Sequence, residues 1–269
     1  GLVWNANNWP KSVTDKEVST FVGSLPNVRR LLANIPTYML FDDHDVTDDW
    51  NLSVHWSLKV KNKPLGKRIV ANALCAYFLF QGWGNDPLRF MPTFFQWQRR
   101  IKQRATEGDN FDEFMWAQRD WEFFTPTYPF VYALDTRTER GSTEGSGYGT
   151  NDAPAYLRDT PGWKRTIQVL NKLISRQGGG YPVVFMSAQP VFGFDKVDSS
   201  QVAITAVKGP YYLDFEGWAP NRKHLALFGH LCGKNDVVLL SGDVHYAFTA
   251  TVRFDNFDDE WMRMVRGLF

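Results

Sequence analysis

The sequence predicts an α/β fold, a layered sheet covered by helices, and three observations lead to it. Short apolar runs recur along the chain without polar alternation, as in strands that are buried on both faces. Segments with helical spacing of apolar residues separate these runs. Polar residues suited to chemistry follow several of the runs at their carboxyl ends. The order of elements is typical of a layered α/β sheet with a β-rich end.

The first half of the chain is predicted to contain a strand, three helices and a second strand. Residues 36–41 form a short apolar run after a proline, which indicates a buried strand. Residues 66–83 carry apolar side chains at helical spacing and predict a helix with a broad apolar face. Two more helices are predicted at 94–105 and 111–124, and the run 129–137 predicts the second strand.

The clearest helix pattern lies in residues 159–180. Asp159 or Thr160 can cap this helix, and Pro161 suits its first turn. The glycines at the end of the segment are expected to terminate the helix. One face carries the apolar side chains Trp163, Ile167, Leu170 and Ile174.

The remaining elements complete the alternation of strands and helices. Residues 181–190 predict a third strand, followed by a long loop to about residue 209. A helix is predicted at 219–233. Residues 235–245 and 246–254 predict two more strands, the last with period-2 alternation.

Composition excludes several classes of function. The formal net charge is +1, so there is no electrostatic basis for binding nucleic acid or an anionic membrane. No apolar run approaches the roughly 20 residues of a membrane span. The two cysteines, Cys75 and Cys232, do not suggest a disulfide framework and are predicted to be buried free thiols. The absence of disulfide patterning slightly favours the cytoplasm.

The stretch LFDDHDVTDDWN, residues 40–51, crowds acids and a histidine directly after an apolar run. One interpretation is a solvated acidic turn in which His44 bonds a backbone carbonyl. The other is a cation site, because burying such charge beside a core is costly without a counter-ion. In a tight loop Asp43 could bind a metal while His44 reaches a substrate.

The stretch SGDVHYAF follows the fourth predicted strand. Asp243 and His245 are two residues apart, so they project to the same side of an extended segment. A hard oxygen and an imidazole nitrogen facing one point are a common start of a metal site. A purely structural role for this pair is the alternative.

Other strand ends add polar groups at what is expected to be the same edge of the sheet. Gln189 follows the third predicted strand, and Asp135 with Arg137 ends the second. The 11 tryptophans and 21 phenylalanines allow two interpretations. The early tryptophans line a substrate cleft or, as we favour, seal the core; they are Trp4, Trp9, Trp50, Trp56, Trp83 and Trp97.

Five segments, spread in order from about residue 36 to 250, resemble motifs of the PhoD-like (alkaline phosphatase D) enzymes, a branch of the calcineurin-like metallophosphoesterases. The acidic stretch resembles the Asp-Asp-His-Asp/Glu stretch that replaces Gly-Asn-His in that branch. Gly-Asp-x-His at residues 242–245 is similar to the family's last motif. The others are YALDTRTER, MSAQPVFG and DFEGWAPNRKHLALFGHL, which is similar to the Asp-x-Trp-x-Gly-Tyr motif with Phe215 and Trp218 varying.

The resemblance implies a fold and a set of roles. The fold would be the layered αββα sandwich of the metallophosphoesterases. Asp43 would bind a metal, and His44 would contact phosphate and act as the general acid for the leaving group. Asp243 and His245 would be metal ligands on the two sides of the centre. The substrate-binding candidates are Arg137 and Gln189; the alternative for Arg137 is an ion pair with Asp135 or another acid.

The resemblance also implies cofactors and a reaction. Two or more divalent or trivalent metal ions (Fe, Mn, Zn or Ca) would serve the hydrolysis of a small phosphoester, a monoester or a diester. Asp45 or Asp48 could orient His44. Because family members are often exported, export stays open beside the cytoplasm. The rival hypothesis is an inactive fragment or a degenerate phosphoesterase fold that binds a partner or a nucleotide.

The pattern departs from the superfamily at its start. The first two metal motifs normally precede the acidic stretch, and neither occurs before Asp42. The letters GDNFD at 108–112 match the second motif but lie too late, in a helical pattern, so the match is interpreted as accidental. We therefore expect residues 1–269 to be the carboxyl-terminal part of such a domain, incomplete at its N-terminal side. An N-terminal part or a second chain would complete the metal site.

Overall fold

The computed structural model of the chain describes residues 13–47, 50–51, 54–140, 160–177, 182–193, 195–208, 218, 236–242 and 248–251. Two units are distinguished, Gly1–Met39 and Leu40–Phe269. The first contains helix α1, Val13–Leu32, which the sequence analysis missed. Its internal Pro26 and its exposed apolar side chains weaken the periodic signal of a buried face. No helix in the described ranges is long and apolar enough to cross a membrane.

The second unit contains a four-stranded mixed sheet in the order β1-β2-β3-β4. Its strands are β1 Phe123–Phe124, β2 Val131–Ala133, β3 Val183–Ser187 and β4 Val237–Ser241. Strand β1 is antiparallel to β2, whereas β2, β3 and β4 run parallel. The mixture of helices and strands around this sheet confirms the predicted α/β class.

The predicted strands at 129–137, 181–190 and 235–245 each contain an observed strand. The strand predicted at 36–41 was wrong, since this segment has no regular secondary structure. Phe41, the last residue of this run, is buried by edge-on contacts with the rings of Trp50 and Tyr77 rather than by pairing in a sheet. The strand predicted at 246–254 was wrong over residues 248–251, which have no regular structure.

Helices make up most of residues 54–116. They are α2 Val54–Lys61, α3 Pro64–Tyr77, α4 Trp83–Asn85, α5 Pro87–Phe90, α6 Phe94–Gln103 and α7 Gly108–Trp116. A single π-helical turn, Phe78–Gly82, joins α3 to α4. The helix predicted at 66–83 is therefore confirmed with a widened turn near its end.

The helix predicted at 111–124 was wrong in its second half. Helix α7 ends at Trp116, and strand β1 follows. Between them Asp120 has a φ of 66°, a left-handed conformation that cannot continue a helix. The Arg89 guanidinium lies 2.9 Å from the Asp120 carboxylate and stabilises this turn.

Aromatic side chains fill the core beneath these helices. Phe78 stacks on Trp97, and Tyr77 meets Phe41 and Trp121 edge-on. Trp50 and Trp97 are buried in this cluster, and Trp56 and Trp83 pack against it. The preference for a core role is confirmed for these four tryptophans; Trp4 and Trp9 lie outside the described residues. Cys75 is buried here as a free thiol, as predicted, while Cys232 is not among the described residues.

Two long helices lie between the parallel strands in sequence. Helix α8, Thr160–Gln177, confirms the predicted one, and its Trp163 and Leu170 pack with Tyr132 and Phe185 of the sheet. Helix α9, Asp195–Lys208, replaces the loop predicted there. The apolar side chains whose burial is described on this helix, Val197, Ile204 and Val207, are exposed and show no buried face. The helix predicted at 219–233 lies outside the described residues.

Glycine at position 82 is expected to be essential for packing around the π turn. A Cβ added there would meet Trp121 and Tyr77 side-chain atoms at 3.0 Å, whereas one added at Gly84 meets nothing within 4 Å. Gly82→Ala should therefore lower the free energy of unfolding by about 1–3 kcal/mol. The control Gly84→Ala should be neutral or stabilising, by up to about 1 kcal/mol. Urea denaturation of both variants measures this, and equal midpoints would contradict the packing argument.

Candidate functional site

The acidic stretch folds into a tight turn at residues 42–45, which we call the acidic turn. A 3₁₀ turn covers Asp43–Asp45, preceded by Asp42 in extended conformation. The Asp42 amide donates to the Asp45 carboxylate at 3.0 Å, and the Asp45 amide donates to the Asp42 carbonyl at 3.2 Å. These reciprocal bonds fix the direction of the side chains between them.

The turn brings Asp42, Asp43 and His44 together. One potential ligand atom from each lies within 4.8 Å of the others. His44 Nδ1 is 3.5 Å from an Asp42 carboxylate oxygen and 3.4 Å from Asp43 Oδ1. The Asp43 side chain is 1% exposed and that of His44 is 53% exposed. The turn therefore has a buried acidic side and an imidazole that a solute can reach.

Arg137 provides the positive charge on the buried side. Its Nε and Nη2 atoms lie 2.8 and 2.7 Å from Asp42 Oδ1, and Nη2 lies 3.1 Å from Asp43 Oδ1. The guanidinium is fully buried. Burial raises the pKa of Asp42, and the charge of Arg137 acts in the opposite direction. The alternative of an ion pair with another acid is thus observed, with Asp42 and Asp43 as the acids.

Asp135 organises the loop that carries Arg137. Its carboxylate accepts hydrogen bonds from the backbone amides of Trp121, Arg137 and Thr138 at 2.7, 3.0 and 2.8 Å, and from the Thr138 hydroxyl. Asp135 is fully buried. A buried carboxylate with several donors is satisfied without a metal ion. Its role is therefore structural: by accepting hydrogen bonds from the backbone amides of Arg137 and Thr138, it fixes the backbone that carries the Arg137 side chain.

Asn51 and Arg140 tie the acidic stretch to the same loop. Asn51 has a φ of 60°, and its amide nitrogen donates to the Arg137 carbonyl at 3.1 Å. Its amide oxygen accepts from the Ser57 hydroxyl at 3.0 Å. Arg140 donates to the Trp50 carbonyl at 3.3 Å. Side-chain bonds therefore join the acidic stretch to the loop after β2.

The loops after β2 and β3 also meet. The Thr136 hydroxyl donates to Gln189 Oε1 at 2.9 Å, and both side chains are buried. The Gly242 amide, just beyond β4, donates to the Ser187 carbonyl at 3.4 Å. The carboxyl ends of the three parallel strands thus lie together, with Gln189 among them. Asp243 and His245, which follow Gly242 in sequence, lie outside the described residues, so their predicted roles stay predictions.

Asp45 and Gln81 belong to the site although the sequence analysis gave Gln81 no role. Gln81 Nε2 donates to Asp45 Oδ1 at 2.9 Å from the π turn. Burial raises the pKa of Asp45, while the hydrogen bonds from the Asp42 amide and Gln81 act to lower it. Both Asp45 oxygens therefore accept hydrogen bonds, one from within the turn and one from Gln81. The orientation of His44 by Asp45 or Asp48 stays a prediction. An amide in the apolar stretch FLFQGW was the available signal.

The acidic turn has the chemistry of a cation site. Carboxylate oxygens and an imidazole suit transition metals and zinc. Asp43 Oδ1 is buried and accepts no hydrogen bond from the described residues. Its 3.1 Å contact with Arg137 Nη2 supplies positive charge without the geometry of a hydrogen bond, so the oxygen keeps lone pairs that can ligate a metal ion. The residue types of this cluster, Asp42, Asp43 and His44, therefore fit a metal ion.

The accidental match GDNFD has a structural explanation. It forms the start of helix α7, and Asp112 is buried against Arg68, with Nε and Oδ1 2.6 Å apart. Asp112 is therefore part of an ion pair on the helices.

Comparison with known proteins gives one result. The family model of PhoD-like phosphatases matches residues 23–265 of the 269. This range contains the acidic turn, Arg137, Gln189 and the Asp-x-His pair. No curated protein and no solved structure matches the chain significantly. Since the match covers nearly the whole sequence, the chain belongs to the PhoD-like phosphatase family.

Proposed function

We propose that the chain acts as a metal-dependent hydrolase of small phosphoesters through a two-metal centre. Family membership implies a hydrolytic enzyme that acts on phosphoesters. The observation that supports a metal centre and an acid catalyst is the acidic turn. There Asp43 Oδ1 is buried, accepts no hydrogen bond from the described residues, and lies 3.4 Å from Nδ1 of the accessible His44. A carboxylate that can ligate a metal ion, beside an imidazole that can transfer a proton, is the combination that such hydrolysis needs.

Asp43, Asp243 and His245 are the proposed metal ligands. Asp43 contributes a hard oxygen from the acidic turn. Asp243 and His245 follow β4, the third of the parallel strands whose carboxyl ends lie together. Metal ions bound there, of the kinds Fe, Mn, Zn or Ca, would stabilise negative charge on the phosphoryl group and make a bound water more acidic.

His44 is the proposed catalytic acid. Its Nδ1 lies 3.5 Å from an Asp42 carboxylate oxygen and 3.4 Å from Asp43 Oδ1, so two carboxylates lie beside the ring. Its side chain is half exposed, so a leaving-group oxygen can approach the imidazole. Protonating that oxygen as the phosphoester bond breaks avoids the release of a strongly basic alkoxide.

Arg137 and Gln189 are the proposed substrate-binding residues. A guanidinium suits phosphate oxygens because it presents several donors in a plane. Arg137 contacts Asp42 and Asp43 in this structure. Some of its N–H groups would have to donate to phosphate oxygens instead of these carboxylates for Arg137 to bind phosphate. Gln189 lies after the adjacent strand, bonded to Thr136. Phosphomonoesters and phosphodiesters are both retained as substrate classes.

The architecture we propose is the αββα metallophosphoesterase sandwich, with residues 1–269 belonging to a PhoD-like metallophosphatase domain. The described sheet with its helices is compatible with one half of such a sandwich.

A binding module without turnover is the second candidate function, and one observation favours it. Arg137 already pairs with Asp42 and Asp43, so this cluster has a cation of its own. A degenerate site of this kind could hold a phosphorylated partner or a nucleotide without hydrolysing it.

Metal analysis and hydrolysis of p-nitrophenyl phosphate and bis-p-nitrophenyl phosphate separate the two functions. We expect about two metal ions per chain and a turnover that EDTA abolishes and Mn²⁺ or Zn²⁺ restores. The ratio of the two rates assigns the monoester or diester class. Metal-free protein that hydrolyses neither ester under any of these conditions would refute the hydrolase and favour the binding module.

A further inference from the structure

We propose that Gln81 is a positioning residue for the acidic turn and acts through Asp45 on the carboxylates of Asp42 and Asp43. This inference adds a residue to the site of the proposed function and rests on that function for its effect on metal binding. Gln81 lies in the π turn between helices α3 and α4, outside the five segments that resemble family motifs.

Each step of this path is a hydrogen bond. Gln81 Nε2 donates to Asp45 Oδ1 at 2.9 Å. The other oxygen of Asp45 accepts from the Asp42 amide at 3.0 Å, which sets where the backbone of the turn begins. Asp42 and Asp43 then share the Arg137 guanidinium. Gln81 is therefore two hydrogen bonds away from the first acid of the turn.

The backbone that carries Gln81 is unusual and firmly packed. Phe78–Gly82 forms a π turn, a rare conformation that is found mostly as single turns at functional positions. Neighbouring side chains leave no room for a Cβ at Gly82, where Tyr77 and Trp121 atoms would lie 3.0 Å away. Packing at Gly82 thus holds the π turn next to Gln81, whose amide lies 2.9 Å from Asp45 Oδ1.

A support of this kind differs from a metal ligand in its consequences. Partners that orient metal-binding carboxylates typically change metal affinity or activity by about 10- to 100-fold when they are lost. Gln81 does not need to touch substrate or metal for such an effect. Asp45 without its donor would leave one oxygen unsatisfied and the Asp42 amide less well held.

The variant Gln81→Met tests the proposal, since methionine keeps the length and helix propensity of glutamine but has no N–H donor. Gln98→Met, at an exposed position of helix α6, is the matched control. Two measurements are made on the full chain. One is amide exchange of Asp42 by NMR in the metal-free protein, and the other is the Mn²⁺ dissociation constant.

We expect Gln81→Met to speed exchange of the Asp42 amide by about fivefold and to weaken Mn²⁺ binding by about 10- to 100-fold. Gln98→Met should change neither. Gln81→Met with both values within twofold of wild type would overturn the proposal, whatever its thermal stability. If the wild-type chain binds no Mn²⁺ but the variant still exchanges faster at Asp42, the proposed metal site fails while the positioning role stands.

Discussion

Replacing His44 by alanine is expected to lower the turnover of an alkyl phosphoester by about 10²–10⁴-fold while the metal content stays near that of the wild type. The reason is that His44 lies beside the proposed ligand Asp43, accessible to solvent, and is proposed to supply the proton that the leaving oxygen needs. Steady-state kinetics with an alkyl phosphate, together with metal analysis of the same preparations, measures both quantities.

The leaving group offers a control inside the same variant. A dinitrophenolate needs little protonation, so the loss caused by His44→Ala should be much smaller for a dinitrophenyl phosphoester than for an alkyl ester. His245→Ala should behave differently, because loss of a ligand lowers the metal content and both activities together. Equal losses for both leaving groups at full metal occupancy would contradict the assignment of His44 as the acid.

Replacing Arg137 by methionine is expected to lower the free energy of unfolding by about 3–5 kcal/mol in metal-free protein. Methionine fills a similar volume but leaves the buried Asp43 and its neighbour Asp42 without their cation. Urea denaturation in the presence of a chelator measures the change. Arg99→Met, at an exposed position of helix α6, should change the free energy of unfolding by less than about 0.5 kcal/mol.

A double variant separates the charge effect from lost packing. Asp42→Asn removes one of the two negative charges, so Asp42→Asn combined with Arg137→Met should be less destabilised than the sum of the single variants. Strict additivity would indicate that Arg137 stabilises the loop by packing alone, and would contradict the charge argument.

The sequence predicted those elements that show a clear apolar pattern. Helix α8 was found because Trp163 and Leu170 both point to the core, and β3 and β4 because they are short apolar runs. Helix α9 was missed, and its described apolar side chains Val197, Ile204 and Val207 are exposed rather than gathered on a buried face. The run 36–41 was assigned to the sheet because an apolar sequence pattern predicts burial but not the partner that buries it. Phe41 is buried by helices and aromatic rings rather than by neighbouring strands.

The site was predicted as a set of residue types but not as a network. The acidic stretch, Arg137 and Gln189 follow from the order of motifs along the chain. Which acid would meet Arg137 was open, because a sequence does not state the distance between residues 95 positions apart. The role of Gln81 depends on a π turn, and no local pattern of residues specifies such a turn in advance.

The bonds between the acidic stretch and the loop after β2 have a consequence for how the protein acquires its site. Arg137 meets Asp42 across 95 positions of sequence, and Asn51 meets Arg137 across 86. Contacts of such long range form after local ones, because the intervening chain must lose its freedom first. The helices between them can form early, but the two carboxylates can surround the guanidinium only after the two segments have docked. Catalytic competence would therefore be among the last properties to appear when the chain refolds.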